Sequence, residues 1–299
     1  MKFSALLQVA ALALSASASP LLDTRQSISV LSTATIATFK KYSFFAASAY
    51  CAPAKTLAWT CGANCNSNSG FQPVASGGDG SKTQFWYVGY DPSLKSVIVA
   101  HQGTDTSKIV PLLTDADFFF DNLSASLFPG ISTSIKVHNG FSEAQAKAAP
   151  AVLAAVKTAL SRFSATHVTI VGHSLGGAIA LIDAVYLPLH LPAGTVFKTV
   201  TYGMPRVGNQ AFANYVDAHV TSLNHINNKK DIVPIVPGRF LGFSHPKGEI
   251  HIRVADSAWM NCPGQDNTGN DCTIDEVPNI IAGAAGDHSG PYDGVRMGC

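Results

Sequence analysis

Apolar positions along the chain fall into short β-branched runs separated by longer alanine-rich stretches. Gln84–Tyr90, Ser96–Ala100, Val168–Val171, Phe197–Tyr202 and Ser222–Asn227 have the length and residue types of strands, with Asp91-Pro92 as the turn between the first two. Thr33–Tyr50, Ser142–Phe163 and Gln210–His219 lack the β-branched clustering and read as helices. Pro150 should kink or divide the second of these. Beyond Cys51 and Pro53, a Gly/Ser/Asn-rich stretch through Ser81 reads as loop. Strands alternating with helices predict an α/β fold with a mostly parallel central sheet and helices on both faces. Neither an internal repeat nor a low-complexity linker interrupts the pattern, so residues 26–299 are expected to form a single domain.

The N-terminus departs from this pattern. Lys2, an apolar core from Leu6 to Leu14 and Ala16-Ser17-Ala18 have the layout of a secretory signal peptide over residues 1–18, with a possible short propeptide to Arg25. The apolar run is far shorter than the roughly 20 residues of a spanning helix, which argues against a membrane anchor. Net charge is +1 with 13% charged residues, and removing Lys2 brings the charge to zero, so nothing points to nucleic acid or an anionic surface.

Six cysteines in a secreted chain imply disulfides. Spacing favours local closure of Cys61 with Cys65 and of Cys262 with Cys272, leaving Cys51 and the terminal Cys299. That last bridge would close a very long loop, for which the chain-entropy relation gives roughly 5 kcal/mol. A zinc site lacks both a CxxC pair and accompanying histidines. Asp266, Asn270 and Asp271 have the wrong spacing for an EF-hand loop and read as part of a solvated disulfide loop.

The most informative motif is Gly172-His173-Ser174-Leu175-Gly176, between the strand-like run Val168–Val171 and the small-residue stretch Gly177-Ala178-Ile179-Ala180. Strand, sharp turn and close-packed helix are the setting of a nucleophile elbow, with Ser174 as nucleophile. A serine hydroxyl needs a histidine base, and the histidine needs a carboxylate to fix its tautomer. In this arrangement the order along the chain is Ser, acid, His. Asp231 lies just past a predicted strand, where α/β sheets carry catalytic groups, although a surface turn is the alternative. Six histidines follow Ser174. His288 lies in the glycine-flanked loop Gly286–Gly290 and can be delivered to the elbow, whereas His251 alternates with Ile250 and Ile252 as on a strand face. For the oxyanion, the amide of Leu175 is one donor, and Thr104 in the turn His101-Gln102-Gly103-Thr104 is the second, a plain turn being the alternative.

The elbow, the Gly-Thr turn, Val137–Phe141, Tyr202–Gly208 and Asp231–Pro234, in this order, resemble the secreted fungal class 3 lipases over nearly the whole mature chain. The resemblance implies an α/β-hydrolase with the triad Ser174, Asp231 and His288, an oxyanion hole from Thr104 and Leu175, and three disulfides. It also implies a mobile lid, here Asp105–Ser134, with Ile109, Val110, Leu112, Leu113 and Phe118–Phe120 able to cover the site or to face lipid. The same residues could instead be buried in a fixed loop. This stretch is longer than the family pattern, and His101-Gln102 replaces the usual Phe-Arg. Asn122-Leu123-Ser124 is the only glycosylation sequon, with Asn122 as acceptor.

The expected protein is a secreted, monomeric serine ester hydrolase cleaving acylglycerols at a lipid–water interface, without organic cofactor or catalytic metal. A feruloyl esterase is the alternative within the family. A catalytically dead binding protein is the alternative outside it, and the full set of triad and oxyanion residue types argues against that.

Overall fold

The computed structural model describes residues 27–105 and 118–299. The expected signal peptide, the propeptide to Arg25, and Ile109, Val110, Leu112 and Leu113 of the expected lid lie outside the described residues.

The first half of the chain contains β1 (Ser29–Val30), α1 (Thr33–Ala37), α2 (Lys40–Ser48), α3 (Pro53–Ala58), α4 (Ala63–Asn66), β2 (Gln72–Gly77), β3 (Trp86–Asp91) and β4 (Ser96–His101). Next come β5 (Phe120–Asn122), β6 (Lys136–His138), α5 (Asn139–Phe163), β7 (His167–His173), α6 (Leu175–Tyr186) and β8 (Val196–Tyr202). The remainder forms β9 (Gly208–Asn209), α7 (Gln210–His219), β10 (Leu223–Asn228), β11 (Phe243–Ser244), β12 (Glu249–Ile252), β13 (Trp259–Cys262) and α8 (Thr273–Glu276).

Nine strands form one sheet in the order β1-β13-β12-β10-β8-β7-β4-β3-β2. The five central strands, β12 to β4, are mutually parallel, and antiparallel pairs extend the sheet at each edge. The parallel character expected from the sequence therefore belongs to the centre. There the strands are buried on both faces, which is why they read as unbroken apolar runs. Val97, Val99, Val168 and Ile170 pack beneath α5, α6 and α7. Ile98, Ala100, Val171, Val200 and Ile226 face α2 and the C-terminal Tyr292, Val295 and Met297. Disulfides Cys51–Cys299, Cys61–Cys65 and Cys262–Cys272 form the pairing that spacing favours. The Cys51–Cys299 bridge pins the C-terminal segment beside α2.

Three expectations need correction. The helix over 33–50 is two helices, α1 and α2, separated at Thr38–Phe39. The stretch to Ser81 is not all loop: it contains α3, α4 and the edge strand β2, whose Gly, Ser and Pro content hides it. Pro73 is tolerated there because β2 pairs on one side only and has an irregular register between Pro73 and Ala75. Pro150 does not divide α5, a helix of 25 residues. It sits on the exposed face, where water can satisfy the carbonyl it orphans.

A small second sheet, β11-β9-β6-β5, borders the mouth of the molecule. It fixes the C-terminal part of the expected lid. Phe120 stacks on Phe243 with ring centroids 4.1 Å apart, and Leu123 and Phe128 are buried, Phe128 against Tyr186. Phe120, Leu123 and Phe128 thus anchor this part of the expected lid to the body of the fold.

Candidate active site

Three strand ends of the parallel centre converge on one edge of the sheet, the side on which α/β folds bind their ligands. β7 ends at His173 and leads directly through Ser174 into α6. Ser174 adopts φ 58° and ψ −130°, a conformation an L-residue holds only when its surroundings impose it. Two crossings impose it. A Cβ on Gly172 would land on the Gly176 carbonyl, and one on Gly176 would land on the His101 carbonyl. Strand, turn and helix therefore pack backbone against backbone, and Ser174 N–H donates to the Tyr202 carbonyl at 2.9 Å. The Ser174 residue is 4% exposed.

Asp231 follows β10, and its carboxylate has no solvent exposure. Its Oδ2 accepts from His288 Nδ1 at 2.8 Å and its Oδ1 from the Val233 amide at 2.9 Å. Because a carboxylate only accepts, Nδ1 carries the proton and Nε2 of a neutral His288 is left as the basic nitrogen. That Nε2 is buried and has no hydrogen-bond partner, Ser174 Oγ included. A gap of this kind between nucleophile and base is ordinary in a site without substrate. The loop before His288 is braced to the turn before Asp231: Asn228 Nδ2 donates to the Asp287 carbonyl at 2.8 Å, and the Lys230 amide to Asp287 Oδ2 at 3.1 Å. Acid and base thus move as one unit.

Three residues that pattern and order did not single out complete the frame. The Tyr292 hydroxyl donates to the His288 carbonyl at 3.0 Å, and His173 Nε2 lies 2.8 Å from the same carbonyl. A carbonyl can only accept, so His173 donates through Nε2 and accepts at Nδ1 from the Tyr50 hydroxyl at 2.6 Å. Burial, reinforced by the nearby His288, holds His173 well below the usual histidine range and keeps it neutral. Burial raises Tyr50, which therefore stays a donor, and its hydroxyl packs against Gly103 where a Cβ would fall. Tyr50 thus ties the expected oxyanion turn to the loop carrying His288. The signal available in the sequence was slight, a tyrosine beside Cys51 and the histidine within the elbow pentad.

The turn that carries Thr104 packs against the elbow that carries Leu175. Gly103, next to Thr104, packs so closely on the elbow that a Cβ there would strike the Tyr50 hydroxyl and the His173 carbonyl. Gln102, at a position where the chain departs from the family pattern, is held twice by Phe85: its amide donates to the Phe85 carbonyl and its Oε1 accepts from the Phe85 amide, both at 2.8 Å.

Beside the loop that follows Asp231 lies a cavity of about 630 Å³, lined by Ile232, Ile235, Val236 and Phe240 from that loop and by Val277 and Ile280 from the segment after α8. Arg206 lines one wall. It donates from Nε to Asp266 at 2.8 Å and from Nη1 to the carbonyls of Ile235 and Pro237, fixing the loop after Asp231.

The other expected positions are unremarkable chemically. Asn122 is exposed on β5. Glu249, Cys262 and Cys272 cluster, but both cysteines are disulfide-bonded and unavailable to a metal. Asp266 and Asp271 pair with Arg206 and Arg253 instead of forming a calcium loop.

Residues 98–241 match the family described as Lipase (class 3). The secreted mono- and diacylglycerol lipase MDL2 of Malassezia globosa is 34% identical over 223 residues, 74% of this chain and 71% of that protein. The secreted mono- and diacylglycerol lipase LIP2 of Malassezia restricta is 31% identical over 192 residues, 64% of this chain and 61% of that protein, so the match spans less than two thirds of this relative. Lipase II from Rhizopus niveus superposes with a TM-score of 0.78 at 27% identity, covering 91% of this chain and 99% of that one.

Proposed function

The chain belongs to the class 3 lipase family, and on that premise we propose that it is a secreted single-domain hydrolase that cleaves mono- and diacylglycerols through an acyl-enzyme. The observation that carries this reading is the buried Asp231–His288 couple, whose Nε2 has no partner and whose ring lies 4.3 Å from that of His173, next to a serine held on a strained elbow.

Ser174 Oγ attacks the ester carbonyl carbon while His288 Nε2 takes its proton. The resulting imidazolium is stabilised by Asp231 through Nδ1. Negative charge developing on the carbonyl oxygen is met by the amides of Leu175 and Thr104. His288 then passes its proton to the departing glycerol oxygen. Water deacylates the serine by the same route, and the fatty acid leaves.

Substrate class is argued from the cavity beside the loop that follows Asp231. Ile232, Ile235 and Val236 on one side and Ile274, Val277 and Ile280 on the other line it, suiting an alkyl chain better than the hydroxylated ring of a ferulate. The names of the Malassezia relatives support mono- and diacylglycerols and an extracellular site of action. The protein is proposed to act as a monomer, with Asn122 on the exposed strand β5 as its glycan acceptor.

The deciding experiment is initial rate against concentration for monoolein, diolein and methyl ferulate, with Ser174→Ala as control. Turnover of the two glycerides and little of the ferulate is expected. Preferred ferulate cleavage would make the protein a feruloyl esterase, and wild-type-like activity in Ser174→Ala would end the serine mechanism.

A further inference from the structure

A second histidine–carboxylate couple lies beneath the oxyanion turn and takes no part in the chemistry above. His101 Nε2 donates to Asp183 Oδ2 at 2.8 Å, and Gln145 Nε2 donates to Asp183 Oδ1 at 2.8 Å. All three residues are 1% exposed.

We propose that His101, Asp183 and Gln145 are positioning residues that set the spacing between the two halves of the oxyanion hole. The proposal rests on the hydrolase reading above.

Each half of the hole is carried by a different element, and the couple joins those elements. Thr104 stands three residues beyond His101, at the end of β4. Leu175 opens α6, and Asp183 lies on that same helix, locked by Gln145 against α5. At the backbone, His101 pairs with Gly172 of the nucleophile strand, and its carbonyl occupies the space that a Cβ on Gly176 would need. The residue after Leu175 thus rests on the backbone of His101, while the His101 side chain reaches along the helix to Asp183. A shift of β4 along α6 would move the Thr104 amide relative to the Leu175 amide, and the bond to Asp183 opposes that shift. Oxyanion donors act only when aimed at the place where charge develops, so a displacement of under an ångström is felt in the chemical step. Gln102, clamped by Phe85, and Gly103, packed against the Tyr50 hydroxyl, extend the restraint to the tip of the turn.

The test compares wild type with the double variant His101→Phe/Asp183→Leu, which replaces both polar partners by apolar side chains and leaves no unpaired buried charge. Two quantities are read on a single-phase solution of p-nitrophenyl butyrate: kcat and KM, and the affinity of a short-chain trifluoromethyl ketone, whose serine hemiketal places an oxyanion in the hole. Expected are a fall in kcat of about 10- to 100-fold, KM changed by less than about twofold, and ketone affinity lost in step with kcat. A role in folding alone would lower the melting midpoint and leave both ratios intact. A folded double variant with wild-type kcat and ketone affinity overturns the proposal. Should the double variant not fold, Asp183→Asn, isosteric with the native side chain, is read against the same criteria. Wild-type protein that hydrolyses no ester would instead overturn the hydrolase reading and this inference with it.

Discussion

Two buried His–Asp couples lie among the described residues, and they differ in almost nothing that composition or burial reports. Each has an N···O distance of 2.8 Å, and the paired side chains are 1% exposed or less. The ring nitrogen each uses is what separates them. His288 meets Asp231 through Nδ1 and leaves a buried Nε2 without a partner beside the elbow. His101 meets Asp183 through Nε2, the outer nitrogen, and so presents none toward the nucleophile. Their supports differ as well. His101 and Asp183 sit in a strand and a helix, whereas His288 and Asp231 sit in loops braced to each other through Asp287. A proton shuttle needs a free outer nitrogen and a carrier that can be placed at the mouth. A strut needs the opposite.

The largest effect expected from breaking the first couple's circuit is at Ser174. Ser174→Ala should lower kcat by about a million-fold while leaving the melting midpoint unchanged, read by ester hydrolysis and thermal unfolding together. Asp231→Asn should follow at about ten thousand-fold in kcat with little change in KM, because the amide turns His288 into the wrong tautomer without displacing it. The comparison with Asp183→Asn sharpens the distinction: equal kcat losses at the two aspartates would show that both couples act in proton transfer.

The supports can be separated too. The disulfide Cys51–Cys299 pins the chain end that follows His288, and Tyr292 in that segment holds the His288 carbonyl. His101 and Asp183 have no contact with it through hydrogen bonds. Replacing both cysteines by serine should cost about 2–4 kcal/mol of unfolding free energy in urea. The accompanying loss of kcat should appear without loss of trifluoromethyl ketone affinity relative to kcat beyond that expected for a displaced base. A variant as stable as wild type would show that packing of Tyr292, Val295 and Met297 already holds the terminus.

How much of this was legible in the chain follows from the same contrast. The elbow and the acid were readable because their surroundings are local: a glycine either side of Ser174, an apolar strand before it, and a strand end before Asp231. His288 was narrower, since order admits six histidines and only its glycine-flanked loop, and then the family resemblance, selected it. His101 was noticed only as a departure from Phe-Arg. Its partner Asp183 lies 82 positions away inside an apolar helix, and nothing local tells a buried aspartate from an exposed one. Tyr50 and Tyr292 escaped for the same reason, being joined to the site by single hydrogen bonds across the fold. Strand β2 was missed because an edge strand with Gly, Ser and Pro takes its conformation from its neighbour β3.

A third histidine pair offers the smallest and most gradual effect. The rings of His225 and His245 stack 4.8 Å apart with no carboxylate bonded to either ring, and the Nδ1 atoms of both have no partner. Burial and the neighbouring ring push His225 down to about 3; burial, opposed by Asp266 and assisted by Arg206, pushes His245 down to about 4. Both values lie below the unfolded histidine value of about 6.5, so the folded state refuses protons that the unfolded chain accepts. The stability contributed by this neutral pair is therefore complete above about pH 6.5 and is lost as pH falls toward 4, at about 1.4 kcal/mol per pH unit for each ring that stays neutral. Urea unfolding from pH 7 to pH 5 should show that slope, and His225→Phe, which keeps a stacked ring but cannot titrate, should make it shallower. An unchanged slope in His225→Phe would show that the acid sensitivity does not come from the stacked pair.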